Sequence, residues 1–154
     1  MIRDMSMRRA TTDDAAALAE IHMEARAAAM PWLAVVHTPD EVFQYFRQDV
    51  IPGSDVWLAA SPAGIAGFCA RLGNELDHLY VAVPFWRQGV GAALLKMAML
   101  TVPRLQLWTF QRNAGARQFY EGHGFTPVAF TDGTENEERE PDVRYRWEGP
   151  DDHV

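Results

Sequence analysis

Apolar and polar residues follow two different periods along the chain, one typical of helices and the other typical of strands. Near the start, Leu18, Ile21 and Ala25 fall on one face of a helix that Met30-Pro31-Trp32 ends. Two apolar runs then flank Ser61-Pro62-Ala63-Gly64, which has the composition of a hairpin turn. The predicted elements are, in order, a strand (7–10), a helix (to about 29), a helix (to 53), strands at 56–60, 65–71 and 75–81, a helix from 90, a strand (105–109), a short helix after 113, and strands at 125–130 and 143–147.

This order of elements predicts an α/β fold with one mixed central sheet. About seven strands and about four helices are expected, with helices crossing between strands in the second half of the chain. At 154 residues the chain has the size of one ordinary domain, so we assign residues 1–154 to a single domain. Nearly half of the residues are apolar, which is typical of a folded globular protein.

Charge and composition argue against several classes of partner. The net charge is −7, which disfavours a broad surface for nucleic acid or anionic lipid. The apolar stretches are far shorter than the roughly 20 residues that span a bilayer, and the start of the chain lacks the apolar core of a signal peptide. The single cysteine, Cys69, is interpreted as a buried strand residue rather than a nucleophile. We therefore expect a cytoplasmic protein with no nucleic-acid or membrane partner.

A glycine loop begins the third predicted helix. Gln88-Gly89-Val90-Gly91-Ala92 leads directly into an apolar helical stretch over 93–100. The first N–H groups of a helix have no intrahelical partner and lie at the positive end of its dipole, so such a loop can hold a pyrophosphate largely through main chain. A dinucleotide fingerprint would need glycine where Leu94 stands, and the Gly-Lys-Ser/Thr of a P-loop does not occur.

Two segments together carry a resemblance to a known family. Leu79-Tyr80-Val81, followed by Gln88-Gly89-Val90-Gly91-Ala92, resembles an acetyl-CoA motif of strand, pyrophosphate loop and helix. Asn113-Ala114-Gly115-Ala116-Arg117-Gln118-Phe119-Tyr120, followed by Gly124-Phe125, resembles the second motif of the same family, Asn-x-x-Ala-x-x-Phe-Tyr. With the spacing between them, these motifs make the chain similar to the GCN5-related N-acetyltransferase (GNAT) superfamily. One position departs from the family pattern Gln/Arg-x-x-Gly-x-Gly/Ala, because Trp86 occupies its first place.

The resemblance implies acetyl-CoA as a co-substrate and assigns residues to its binding site. The implied coenzyme-binding residues are Leu79, Tyr80, Val81, Arg87, Gln88, Gly89, Val90, Gly91, Ala92, Asn113 and Tyr120. The strand residues are expected to contact pantetheine through main chain, and Arg87 or Gln88 to add side-chain donors near the pyrophosphate. Asn113 has two compatible interpretations, a helix cap and a hydrogen bond to the coenzyme arm. No metal is expected, since the five histidines lack the spacing of zinc ligands.

The resemblance also implies direct transfer of the acetyl group to an amine, without an acyl-enzyme. Tyr120 corresponds to the family's general acid, whose hydroxyl protonates the leaving thiolate; the alternative is a core aromatic. The N–H of Val81 is implied as the oxyanion donor. Glu75 stands in the place of the family's general base, with Asp77 and then His78 as alternatives. Because side chains two apart share a strand face, Glu75 and Asp77 are expected on one face and His78 on the other.

The acceptor is predicted less sharply than the donor. A primary amine on a small molecule is expected, beside an apolar wall at Met30-Pro31-Trp32-Leu33 and an acidic loop at 131–140 that would attract a cation. A protein or peptide N-terminal acetyltransferase and a non-catalytic acyl-CoA-binding module are the alternatives. Edge strands and the apolar region near Trp147 leave a homodimer as a further expectation.

Overall fold

Seven strands form one mixed sheet in the computed structural model, which describes residues 4–150. They are β1 (Ser6–Arg9), β2 (Asp55–Ser61), β3 (Gly64–Leu72), β4 (Glu75–Val81), β5 (Arg104–Phe110), β6 (Thr126–Phe130) and β7 (Asp142–Glu148). Their order is β1-β2-β3-β4-β5-β7-β6, and every neighbouring pair is antiparallel except β4 and β5. The predicted mixed sheet is therefore confirmed. β6 is an exposed edge strand, and the expected homodimer stays a prediction.

Within residues 4–150, the main helices are α1 (Ala15–Ala29), α2 (Pro39–Tyr45), α3 (Val90–Met99) and α4 (Ala114–Gly122). A capping box of Thr11 and Asp14 precedes α1, and Thr38 with Glu41 forms another at the start of α2. After α2 the chain continues through a π-helical turn and a short helical turn to Gly53, where the sequence predicts the end of this segment. No helix in this part of the chain combines the length and the apolar character that crossing a membrane requires.

Helices pack on both faces of the sheet, so the sheet carries two hydrophobic clusters. α1 and α2 cover one face, where Leu18 and Phe46 are fully buried. α3 covers the other face, where Leu94 and Tyr145 are fully buried. We call these the α1 face and the α3 face. Each cluster buries the apolar stripe of its helices, which is the arrangement that removes both faces of a mixed sheet from water.

β4 and β5 separate after a single pair of residues. In the described chain their pairing consists of Glu75 opposite Gln106, near the amino ends of both strands. Beyond that pair a cavity of about 110 Å³ lies between them, lined by Leu79 and Tyr80 from β4 and by Trp108 from β5, among others. Neighbouring strands of a continuous sheet lie about 4.8 Å apart and leave no such space. The sheet is therefore open between these two strands, and we call this opening the gap.

The main chain of β4 is open toward the gap. On the β3 side, the Ala82 N–H donates to the Ala66 carbonyl at 2.8 Å. Hydrogen-bonded and non-hydrogen-bonded positions alternate along an antiparallel pair, so the N–H and C=O groups of Leu79 and Val81 point away from β3. The carboxyl half of β4 thus presents main-chain donors and acceptors to the gap.

A bulge interrupts β4 at Asp77. His78 lies opposite Ala70 of β3, but the next pair is Leu76 opposite Arg71, so Asp77 has no counterpart in the β3–β4 ladder. Such a bulge inserts one extra residue on one strand and redirects the side chains around it.

The bulge changes which side chains of β4 share a face. Leu76 packs in the same cluster as Leu79 and Val81, on the α3 face. Glu75 therefore lies on the α1 face. On that face His78 packs against Phe46, the first residue of the π-helical turn after α2. The sequence prediction that Glu75 and His78 point to opposite faces assumed strict alternation and is wrong, because one extra residue is inserted between them.

Two histidine rings are enclosed on the α1 face. His22 of α1 and His78 of β4 have ring centroids 5.7 Å apart, and the Tyr45 hydroxyl lies 3.0 Å from Nε2 of His78. Neither Nδ1 has a hydrogen-bond partner among residues 4–150. Burial lowers the pKa of His22 to about 3 and the pKa of His78 to about 4. Both rings are therefore neutral in the folded protein at neutral pH.

Acid should destabilise the protein through these two rings. Unfolded histidine titrates near pH 6.5, so below that pH the unfolded state binds protons that the folded state does not bind. The stabilisation is fully present above about pH 6.5 and is lost as the pH falls toward 4, by roughly 1.4 kcal/mol per pH unit for each histidine. Urea unfolding at neutral pH and near pH 5 measures this loss.

The variant His22→Phe keeps a ring at this position and removes one titrating group. Its free energy of unfolding should fall less between the two pH values than that of the wild type. His123→Gln, directly after α4 and away from the two rings, should follow the wild type. An equal loss in His22→Phe and wild type would contradict this origin of the acid sensitivity.

Candidate active site

The glycine loop lies at the carboxyl end of β4, where the gap opens. A short 3₁₀ turn (Val83–Phe85) leads into it from the strand, and α3 begins at Val90. Gly89 precedes the helix with φ 82°, in the left-handed region that glycine adopts without strain. The Ala93 N–H donates to the Gly89 carbonyl at 3.1 Å, so the N–H groups of 90–92 have no carbonyl within the helix. They form a main-chain cradle of the kind that binds anions at helix N-termini.

Side chains of this loop are largely engaged with neighbouring main chain. The Gln88 side-chain amide donates to the Pro84 carbonyl at 3.3 Å, and the Trp86 indole donates to the Val81 carbonyl at 2.7 Å. Arg87 is exposed and has φ 62°. Of the two side chains expected near a pyrophosphate, Gln88 is therefore occupied within the loop, and Arg87 is the one that extends into solvent.

α4 closes the other side of the gap. Asn113 caps this helix, because its side-chain oxygen accepts from the Ala116 N–H at 3.1 Å, and the predicted cap is confirmed. Asn113, Ala116 and Tyr120 line the cavity together with Leu79 and Tyr80 of β4. The strand of the first sequence motif and the helix of the second motif therefore meet across one cavity.

The hydroxyl of Tyr120 has the surroundings of a proton donor. Tyr120 lines the cavity, and its hydroxyl makes no hydrogen bond to any residue from 4 to 150. Burial raises the pKa of this tyrosine, so the phenol stays protonated near neutral pH. Its ring packs edge-on against Phe125 with centroids 5.6 Å apart. A core aromatic ring and a hydroxyl available to a ligand are thus combined in one residue.

The two carboxylates of β4 are in different environments. Glu75 accepts two hydrogen bonds from the guanidinium of Arg144 on β7, one of them 2.9 Å long. Asp77, at the bulge, lines the cavity. Burial and the nearby charge of Glu75 raise the pKa of Asp77, while Arg144 opposes this shift. Asp77 is therefore the carboxylate that faces the cavity, and Glu75 is held where β4 and β5 meet.

Arg26 of α1 lines the same cavity and was not identified by the sequence motifs. Its guanidinium donates to the Tyr80 hydroxyl and to a carboxylate oxygen of Glu138, both at 3.1 Å. The sequence pattern of an amphipathic helix does not distinguish an arginine that lines a site from an arginine that lies in solvent. The folded chain makes it a link between α1, β4 and the loop that follows β6.

A larger cavity of about 690 Å³ continues from the gap. The two cavities share Trp108, Thr109 and Phe110 at the end of β5. The rest of its wall comes from the loop between β6 and β7 and from the first residue of β7, and its carboxylates are Asp132, Glu135, Glu138 and Asp142. None of the described residues that line it is lysine, arginine or histidine, so its wall is negatively charged.

Ion pairs hold the loop between β6 and β7 against the neighbouring elements. The partners are Glu138 with Arg26 of α1 (3.1 Å), Glu137 with His37 between α1 and α2 (2.8 Å), and Glu140 with Arg112 before α4 (3.4 Å). Hydrogen bonding to Glu137 raises the pKa of His37, which favours the charged ring. The Arg112 guanidinium also lies over the Trp32 ring, 4.2 Å from its centroid. The loop is therefore fixed from three sides and forms one wall of the larger cavity.

Cys69 does not contribute to this site. Its thiol is buried against the Leu94 carbonyl of α3 at 3.6 Å, and burial raises the pKa of the thiol to about 11. The interpretation as a buried strand residue is confirmed. Over residues 4–150, no group of three or more His, Cys, Asp or Glu side chains is arranged to hold a metal ion.

Similarities to known proteins fall on the same elements. The family model of the acetyltransferase (GNAT) domain matches residues 52–127, from the turn before β2 into β6. The N-acetyltransferase YafP of Escherichia coli (strain K12) is 35% identical over 75 residues, 49% of this chain and 48% of YafP. The peptidyl-lysine N-acetyltransferase YiaC of the same strain is 26% identical over 120 residues, 77% of this chain and 82% of YiaC. The solution structure of apo YjaB from Escherichia coli has a TM-score of 0.78 at 22% identity, covering 97% of this chain and 100% of YjaB.

The chain contains a GNAT acetyltransferase domain over residues 52–127. The part that the family model matches contains the glycine loop, the gap and α4, which are the parts of the site nearest Tyr120. The likeness to YjaB concerns the fold, and it extends over nearly the whole chain. The match to YafP spans about half of the length of that relative. GNAT proteins use acetyl-CoA as the acetyl donor, and a main-chain cradle beside an open strand edge suits a ligand with a pyrophosphate and amide groups.

Replacing Gly89 with alanine should weaken the GNAT coenzyme site. An L side chain at φ 82° costs about 1–2 kcal/mol, so the loop would shift the N–H groups that follow it. We expect the Kd for coenzyme A, measured by isothermal titration, to rise several-fold. Gly122→Ala is the matched control, since Gly122 ends α4 in open space and without a positive φ. Unchanged coenzyme affinity in Gly89→Ala would contradict the assigned cradle.

Proposed function

We propose that the protein transfers the acetyl group of acetyl-CoA to the primary amine of a small cationic molecule by direct attack. The observation that carries this proposal is the cavity between β4 and β5. Tyr120 and Asp77 both line this cavity beside the open edge of β4, which supports a shared role in the reaction. A donor for the leaving thiolate and an acceptor for the amine proton are the two groups that this reaction needs.

The coenzyme is assigned to the cradle and the strand edge. In this proposal the pyrophosphate lies at the N-terminus of α3, with Arg87 beside it. The amides of the extended arm pair with main-chain groups of Leu79, as an added strand would, while the Val81 N–H faces the acyl carbonyl. Asn113, which lines the cavity, is close enough to the gap to contact the arm.

The reaction follows from the groups around the cavity. The amine must be neutral to attack, so Asp77 accepts its proton, directly or through water. The nitrogen then bonds to the thioester carbon, and the Val81 N–H stabilises the oxyanion that forms. When the C–S bond breaks, the Tyr120 hydroxyl delivers a proton to the thiolate, the nitrogen loses its second proton to solvent to give the neutral amide, and Tyr120 is reprotonated from solvent.

The choice of base rests on the different environments of three residues. Both oxygens of Glu75 accept hydrogen bonds from the Arg144 guanidinium, so this carboxylate is already engaged within the protein. His78 is buried with a lowered pKa, so it binds protons weakly. Asp77 has a raised pKa and faces the cavity. The proposal therefore places Asp77 before Glu75, in the reverse of the order that the family resemblance gives.

A cationic acceptor is favoured by the wall of the larger cavity. Asp132 and Glu135 supply negative charge without a salt-bridge partner among residues 4–150, and Phe110 supplies an aromatic face that attracts cations. The Trp108 ring already carries the Arg144 guanidinium, 5.1 Å from its centroid. The loop that bounds this cavity is tied down by its ion pairs, so the space has a defined limit. A small molecule fits such a bounded cavity better than a peptide substrate, whose chain would have to extend beyond it.

The similarity to YiaC supports a second candidate acceptor. YiaC is named a peptidyl-lysine N-acetyltransferase, and a lysine side chain is also a cationic amine. Its apolar stem would suit the aromatic wall at the end of β5. The flanking peptide would need space across the loop between β6 and β7, which the ion pairs hold in place.

Replacing each of the two carboxylates of β4 with the corresponding amide tests which of them is the base. Asp77→Asn should lower kcat about 100-fold, which is typical of a lost general base, while the Kd for coenzyme A stays near the wild-type value. Glu75→Gln should have a smaller effect on kcat and should lower stability, since it breaks the pair with Arg144. If Glu75→Gln loses more activity than Asp77→Asn at equal coenzyme affinity, the base is Glu75.

A thiol-release assay with acetyl-CoA tests the activity itself. The acceptors are amino acids, polyamines, aminoglycosides and peptides with a free lysine or N-terminus. We expect turnover of a small cationic amine whose KM rises with added salt, because salt screens the carboxylates of the wall. Tyr120→Phe should lower kcat about 100-fold with coenzyme binding retained. Tyr45→Phe, outside the cavity, is the control.

Other results of this assay would change the assignment. Turnover of lysine peptides without turnover of small amines would favour the YiaC-like acceptor. Coenzyme binding without turnover of any amine would favour a non-catalytic acyl-CoA-binding module. Full activity of Tyr120→Phe would remove the proton-donor role from Tyr120.

A further inference from the structure

Trp86 makes a contact that the family pattern does not anticipate. It stands in the position that the pattern gives to Gln or Arg, and its indole cannot act as an extended cationic or amide head. The indole N–H instead donates to the Val81 carbonyl at 2.7 Å, at the short end of the usual N–H···O range. Trp86 is about one-third exposed, at 37% of its surface, so burial of the ring alone does not account for its position.

The acceptor of this bond lies on the open edge of β4. The Val81 carbonyl points away from β3, and β5 has already separated from β4 at this level. Within residues 4–150, no other hydrogen bond to this carbonyl replaces the indole. The side chain thus takes the place of a missing strand neighbour at the last residue of β4.

The same residue also closes the turn that follows the strand. The main-chain N–H of Trp86 donates to the Val83 carbonyl at 3.2 Å, while its side chain reaches back to Val81. The chain next enters two left-handed residues, Arg87 with φ 62° and Gly89 with φ 82°. Left-handed residues change the chain direction sharply, so the starting orientation at Trp86 determines where the N–H groups of the cradle point.

We propose that Trp86 is a positioning residue for the coenzyme: its indole fastens the start of the glycine loop to the end of β4. The strand edge that receives the arm and the cradle that receives the pyrophosphate then keep a constant separation. A long ligand that bridges two rigid sites binds more tightly when their separation is set in advance. The inference rests on the coenzyme site of the proposed function, and does not depend on the acceptor.

Trp86→Phe tests this role, because it keeps an aromatic ring and removes the N–H donor. The Kd for coenzyme A, measured by isothermal titration without any amine, should rise about tenfold, which is the usual worth of one well-formed hydrogen bond. In turnover with acetyl-CoA, KM should rise by a similar factor and kcat at saturation should stay within about twofold. Trp57→Phe is the matched control: Trp57 lies on β2 beneath the guanidinium of Arg9, and its variant should bind like the wild type.

Hydrogen exchange separates positioning from a general loss of stability. In the free protein, amides of residues 86–92 should exchange faster in Trp86→Phe than in wild type, with those of α4 unchanged. Wild-type coenzyme affinity in Trp86→Phe, or a fall in kcat with unchanged KM, would overturn the proposal. Equal weakening of coenzyme A binding in Trp57→Phe would overturn it too.

If Trp86→Phe does not fold, NMR of the wild type provides the test. The indole N–H of Trp86 should be protected from solvent exchange with and without coenzyme A. Rapid exchange in both states would overturn the proposal.

The two proposals can fail separately in these experiments. Coenzyme A binding that depends on Trp86, with no amine acetylated, leaves the positioning role intact and removes the enzymatic one. Acetylation of an amine with the same acetyl-CoA KM in wild type and Trp86→Phe leaves the enzymatic proposal intact and removes the positioning role of Trp86.

Discussion

The single pairing between Glu75 and Gln106 is the constraint on which the site depends. Strand neighbours normally satisfy each other's main-chain groups, and unsatisfied groups in a protein interior are costly. Here β4 loses its neighbour after one pair, so its carboxyl half keeps donors and acceptors available at the centre of the sheet. The glycine loop and α4 then converge on the same opening from two directions. A closed sheet with the same residues would have no place for an extended ligand.

Much of this architecture could be predicted from local patterns in the sequence. The run at 75–81 becomes β4 with the predicted bounds, and α3 begins directly after Gly89. These features depend on residues that are neighbours along the chain. The bulge at Asp77 could not be predicted, because a one-residue insertion in a ladder depends on the opposing strand. Arg26 likewise became visible only when packing placed α1 over β4.

The acidic loop acts differently from what its composition indicates. A run of carboxylates between β6 and β7 suggests attraction of a cation by charge alone. In the folded chain Glu137, Glu138 and Glu140 are each paired with a cation of another element. The exposed pair of Glu137 with His37 adds little to stability, since pairs of this kind usually contribute under about 1 kcal/mol, whereas the pair of Glu138 with Arg26 is partly buried. The effect of the three pairs is mainly geometric, since they hold one wall of a cavity, and in the proposed function the attraction of a cationic amine is left to the other carboxylates.

The gap joins the two faces of the sheet. Arg26 reaches it from α1 and Met30 from the residue after that helix, whereas Asn113 and Tyr120 reach it from the cap and the body of α4, on the other side. Two molecules can therefore approach a common point by different entrances, and neither has to withdraw before the other arrives. Such a layout suits the ternary complex that the proposed direct transfer requires. In the proposed reaction the two products would leave on opposite sides of the sheet, so the release of one would not have to wait for the release of the other.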